Sequence, residues 1–232
     1  MACRDVLTTV EPDAPPSPIS PADLPLESGR VETWHPSRLT VDPGTVLRLA
    51  RCRPRDDIAP AIRDAASAMA ARAEALVEPT ARLAPARVAA VEPGGVRLAG
   101  GPRFSGRTVT AGLAGCPLAV GFVLTVGPRL EREVTALAER RELLESFLLD
   151  TAGWAAIEAA VRALRLHLRE RVRPSGWRVG HRVAPGYGDW PLTEQAALLG
   201  LFGADTPVRL SEHGVLVPFK SVTGVFGLGP AR

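Results

Sequence analysis

The residues with most to offer chemically lie in one run, from Gly180 to Leu192. Arg182 carries a planar, always-charged guanidinium that can grip a carboxylate at two points. Ala184, Pro185 and Gly186 form a narrow stretch of main chain. Gly186, with no Cβ, lets a ligand approach the backbone closely. Tyr187 is the only tyrosine in the chain and offers an aromatic face with a hydroxyl at its tip. Together these residues could hold an amino-acid carboxylate beside a flat ring. The competing reading pairs Arg182 with a structural acid and makes Pro185-Gly186-Tyr187 an ordinary turn. Asp189 has two readings of equal weight, a cap for the helix begun by Pro191 or a binding residue. Trp190 is read in the same way as core or site. Lys220 and Ser221 either touch a partner or close a hairpin, the second being the commoner case. Cys116 precedes an apolar strand and reads as packing rather than as a nucleophile.

Other chemistry is missing. No GxGxxG follows a strand, and no GxxxxGK[ST], HExxH or GxSxG occurs. The four histidines, His35, His167, His181 and His213, are far apart in sequence, so no metal site is expected. No Asp-x-His-x-x-Gly run is present to supply a histidine ligand to cobalt.

The composition narrows the class further. The chain has 232 residues, 46% of them hydrophobic and 23% charged, which suits one folded domain of ordinary make-up. Its net charge of +3 comes from scattered arginines, with Lys220 the only lysine, and no basic stripe suggests nucleic acid. Cys3, Cys52 and Cys116 form no CxxC pair, which points to a reducing, cytoplasmic setting. Residues 1–30 lack the apolar core of a signal peptide, and no apolar run is long enough for a membrane span.

The elements that must position the run follow from periodicity. Residues 1–30 are rich in proline and read as a disordered leader, and residues 31–232 as a single domain. The pattern from Val31 to Leu49 looks extended. Ile58 to Val77 is an alanine-rich helix, with Ile58, Ile62, Ala65, Met69, Ala73 and Leu76 on one face. Residues 82–126 read as short strands, of which Pro117 to Val126 is central. Helices follow at Leu130 to about Leu144 and at Phe147 to Val172, the second apolar nearly all round in its first half. His181 to Trp190 reads as irregular, Pro191 to Phe202 as a helix, and residues 208–217 and 222–228 as strands. Helices and antiparallel strands mix without βαβ alternation, so the fold class is α+β.

Arg182-x-Ala184-Pro185-Gly186-Tyr187 resembles the S-adenosylmethionine-binding signature of the activation (reactivation) domain of cobalamin-dependent methionine synthase. Further elements match in order. They are Asp189 to Gln195, Leu210-Ser211-Glu212 and Pro218 to Gly224, and upstream Gly115-Cys116, Thr125-Val126-Gly127 and Leu149 to Gly153. The match is specific over residues 180–229, weaker over 110–160 and negligible over 1–50. It is similar to the free-standing members of that family.

The resemblance implies a twisted antiparallel sheet with flanking helices. It implies that Arg182 holds the carboxylate of S-adenosylmethionine, that Ala184 and Gly186 contact the ligand through their backbone, and that Tyr187 lies near the adenosyl group or the corrinoid. In the fused enzymes acids before the arginine hold the ligand's amino group. Ser175 to His181 contains none, which makes Glu158 and Glu212 the substitutes to consider. Implied partners are a corrinoid protein or methionine synthase core that carries the cobalamin, and a flavodoxin- or ferredoxin-type electron donor. Two alternatives stand beside this one: an accessory module for another corrinoid methyltransferase system, and a degenerate module that binds a partner without S-adenosylmethionine.

Overall fold

The computed structural model describes residues 25–52, 57–204 and 206–231. Residues 1–24 of the expected leader lie outside the described residues. Residues 25–30, read as its end, are packed instead. Leu26 is buried, the Gly29 N–H donates to the Pro85 carbonyl at 2.8 Å, and Ser28 Oγ accepts from the Arg87 N–H at 3.2 Å.

One antiparallel sheet organises the chain. Its strands are β1 (Glu32–Trp34), β2 (Thr80–Glu92), β3 (Gly95–Leu98), β4 (Arg103–Ser105), β5 (Leu118–Thr125), β6 (Trp177–Val183) and β9 (Ser221–Pro230). They run in the order β4-β3-β2-β5-β9-β6, with β1 on the free edge of the first half of β2. A separate small hairpin pairs β7 (Arg209–Leu210) with β8 (Leu216–Val217). The architecture is the expected α+β arrangement, a twisted antiparallel sheet with flanking helices.

Strand β5 is buried at every position, as a continuous apolar run in the middle of a sheet requires. Its alternate residues serve two cores. Leu118, Val120, Phe122 and Leu124 face one way and Ala119 and Val123 the other. The first face is covered by α1 (Pro43–Leu49), α2 (Pro60–Leu76), α4 (Arg129–Glu139) and α5 (Leu143–Val172). Helix α5, 30 residues long, is the hub of this layer and contacts the other three helices. Both α2 and α5 turn small buried side chains into this core, among them Ala70 and Ala73 on α2 and Ala152 and Ala156 on α5. The second face carries α3 (Arg107–Leu113), α6 (Gln195–Leu199) and 3-10 turns at Leu192–Glu194 and Gly200–Phe202.

Four further expectations change. His181 to Val183, read as irregular, completes β6. The stretch to Leu49 is not extended throughout. Asp42 accepts from the Thr45 N–H at 2.7 Å, Pro43 takes the first helical position, and α1 results. Residues 82–126 are not all strand, since α3 interrupts them. The helix expected from Pro191 to Phe202 is instead three short pieces.

Candidate functional site

Arg182 reaches its position through a defect in the edge strand. Val179 pairs with Leu228, whereas Arg182 pairs with Phe226, so β6 advances by one residue more than β9 between the two pairs. Directly opposite residues in antiparallel strands share a face. Leu228 and Phe226 both belong to the helix-side core, which puts Val179 and Arg182 on that side too. Val183, paired with Val225, points to the opposite core. Without the extra residue Arg182 would point to the α3 side. The bulge re-aims it toward α5.

Arg182 is half-buried as a residue, and its guanidinium has one described hydrogen bond, from NH2 to the Tyr187 hydroxyl at 3.3 Å. Its Cζ also sits 5.2 Å from the centre of the Tyr187 ring, a cation–π contact. Among the described residues no carboxylate pairs with Arg182. Tyr187 itself is 59% exposed.

The loop between them is tightly folded. The Tyr187 N–H donates to the Ala184 carbonyl at 3.2 Å, with Pro185 and Gly186 (φ 86°) between, the pattern of a type II turn. The Gly186 N–H then donates to Trp190 O at 2.8 Å, and the Trp190 N–H to Tyr187 O at 3.2 Å. Two of the backbone groups expected to meet a ligand, the Gly186 N–H and the Ala184 carbonyl, are therefore engaged. The Gly186 carbonyl enters no hydrogen bond among the described residues.

Two carboxylates pin this loop to the start of α3. Asp189 does not cap the helix after Pro191. It accepts from the N–H groups of Arg107 and Thr108, both at 2.8 Å, and from Thr108 Oγ1 at 2.7 Å. Helix α3 follows Gly106 at its N-cap and has no side-chain cap of its own, so Asp189 satisfies its orphan donors from 82 residues away. The hydrogen bond from the Arg107 N–H, then those from the Thr108 side chain and N–H, hold the Asp189 carboxyl well below its usual range. Glu194 accepts from the Ser105 N–H at 2.9 Å, from the Ser105 hydroxyl and from Trp190 Nε1 at 2.9 Å. Trp190 is buried against Phe104 and belongs to the core. The role of Glu194 was not foreseen. Its only sequence signal is a position four residues after a tryptophan that needs an acceptor.

The remaining candidates lie apart from this cluster. Glu158 Oε2 accepts from Arg48 NH2 at 2.8 Å and lies 3.7 Å from Arg162 NH1, which ties it to α1 and to its own helix. Glu212 sits on the turn of the β7–β8 hairpin, 86% exposed, 3.5 Å from His213. No described contact joins either acid to Arg182. Lys220 is fully buried. Its Nζ donates to Asp150 Oδ1 at 2.7 Å and lies 4.4 Å from the Trp154 ring centre and 5.1 Å from that of Phe219. Its N–H donates to Glu131. Cys116 is half-buried beside the β9 backbone, and burial pushes its thiol up. Among the described residues no cluster of metal-ligating side chains occurs, and no helix is long and apolar enough to cross a membrane.

The antiparallel sheet, with α5 packed across one face, has a counterpart among solved structures. A solved structure of this shape is that of the MetH reactivation domain bound to AdoHcy. It superposes with a TM-score of 0.62 over 88% of this chain and 79% of that one, at 14% identity, a likeness of fold. No family model matches the chain, and no curated protein sequence matches it at a significant level.

Proposed function

We propose that the chain binds S-adenosylmethionine, or its demethylated product, at Arg182 and the Ala184–Tyr187 turn, and that it supports reductive methylation of a corrinoid carried by a partner protein. The observation that carries this reading is the guanidinium of Arg182, paired with no carboxylate among the described residues, aimed by a strand bulge to the helix side of the sheet and stacked on the only tyrosine. The AdoHcy bound to the MetH reactivation domain, which has the same fold, supports it.

The donor set fits an amino-acid ligand at its acid end. Arg182 supplies parallel N–H donors for a carboxylate. Gly186, whose positive φ disfavours any side chain, keeps the turn slim where a ligand passes. The exposed Tyr187 face offers a surface for a flat ring or for a cation. When bound, the sulfonium supplies an activated methyl group. The task of this chain is to hold and orient it. No general base or protein nucleophile is called for. The corrinoid partner and an electron donor of the flavodoxin or ferredoxin type come from outside the chain.

One observation favours a second reading. Glu158 is engaged with Arg48 and Arg162, and among the described residues no acid pairs with Arg182 or stands ready for a ligand's ammonium group. A module of this fold that docks on its partner without S-adenosylmethionine has no need of that acid.

Calorimetric titration with S-adenosylmethionine and AdoHcy separates the two. The first reading expects saturable binding that weakens about 10- to 100-fold in Arg182→Ala, the loss of a charged hydrogen-bonded pair. Absence of both binding heat and a thermal shift in the wild-type protein selects the second.

A further inference from the structure

We propose that Arg165, on α5, is a positioning residue for Arg182. It locks the β6 bulge from behind and so sets the direction of the ligand-facing guanidinium. The ligand side of this inference rests on the binding reading above, but its structural side does not.

A bulge leaves carbonyls without their ladder donors, and such groups need partners. At this bulge Arg165 supplies them. Its Nε donates to the Gly180 carbonyl at 3.0 Å, and its NH2 lies 3.4 Å from the Val179 carbonyl. One guanidinium thus spans two consecutive peptide groups at the point where β6 gains its extra residue. Among the described residues Arg165 enters no ion pair, although arginines one turn away on either side of it are exposed on the helix surface. Its donors go to the backbone of the edge strand. On the other side of the bulge Gly180 lies close against β9, where an added Cβ would come 3.2 Å from the Gly227 carbonyl. The bulge is held between a long helix and a central strand.

The consequence is directional. Arg182 lies two residues past Gly180, and the face it points to depends on whether the extra residue is accommodated here. If the bulge relaxed to regular pairing, Arg182 would turn toward the Val183 side and its stack on Tyr187 would be lost. Arg165 stabilises the arrangement that keeps Arg182 on the helix side.

Tyr187 makes this measurable without any ligand. As the only tyrosine, it gives a single labelled resonance in a protein carrying tyrosine 13C-labelled at Cζ alone, and that resonance senses the Arg182 guanidinium above it. Arg182→Ala defines the unstacked position. Arg165→Met moves the resonance toward that position, Arg165→Lys, which keeps one charged donor, restores it in part, and Arg169→Met one turn further on leaves it where it was. A wild-type resonance position in Arg165→Met overturns the proposal. Should that variant fail to fold, Arg165→Lys decides, with an intermediate position supporting the proposal and an unshifted one overturning it. Titration with AdoHcy adds a second readout. Where the wild-type protein binds, Arg165→Met weakens binding about tenfold, and equal affinity counts against Arg165 alone. If the wild-type protein does not bind AdoHcy, the binding reading fails while the resonance still decides whether Arg165 aims Arg182.

Discussion

The two faces of the sheet are held by different physics. On the helix side α1, α2, α4 and α5 bury leucines, valines and alanines against Leu118, Val120, Phe122 and Leu124, a broad apolar contact to which Arg165 and Asp150 add polar ties. On the other side α3 and the 192–202 turns bury a smaller core around Phe104, Trp190 and Leu198, and two carboxylates fasten them. The first layer is a platform that spreads its stability over many side chains. The second is a clasp whose few hydrogen bonds link residues 80 to 90 positions apart. The proposed ligand loop sits where they meet, with Arg182 aimed at the platform and Asp189 bound to the clasp.

Substitutions in each layer test that contrast. Leu164 is fully buried in the helix-side core, and Leu164→Ala lowers the unfolding free energy by about 3 kcal/mol, read by urea denaturation. Glu194→Ala removes the acceptor for Ser105 and the Trp190 indole together. It costs about 2 kcal/mol and, unlike the core variant, shifts the Tyr187 resonance, because the loop loses its anchor. If Leu164→Ala moved that resonance as much, the two layers would not be separable.

Asp189→Asn has a smaller effect that shows best as a pH dependence. The Asp189 carboxyl is depressed in the folded state, so its contribution is full above the unfolded value of about 4 and fades as pH falls toward the folded value. Wild type therefore loses stability on acidification below about pH 4 more steeply than Asp189→Asn does, in thermal melts across that range. The smallest effect on folding belongs to Arg182→Ala. The residue is half-buried with one weak hydrogen bond, so the melting temperature stays near that of wild type while ligand binding collapses.

What was legible in the sequence follows the same division. Helix α2, the hub α5 and strands β5 and β9 declare themselves through apolar period or apolar run, because the groups that hold them are spaced locally. Helix α1 also carried its signal, an Asp42 cap followed by Pro43, but at seven residues its apolar pattern is too short to register. Helix α3 had no local signal at all, since its cap is Asp189 and its N-cap position holds Gly106, a residue that usually marks a turn. In the site, the Arg182–Tyr187 pair was visible as a motif. The bulge that aims it was not, because a one-residue mismatch between β6 and β9 exists only once the strands are paired. The Arg48–Glu158 pair likewise joins residues that no local pattern relates.

The buried ammonium of Lys220 has a practical corollary. It is the chain's sole amine-bearing side chain, closed off by Asp150, Trp154 and Phe219 with no surface of its own. Acylating reagents pass it by as long as α5 stays seated on the 218–220 segment. The rate at which this one nitrogen becomes labelled is a clock for the opening of the platform, readable by mass from a single tagged peptide.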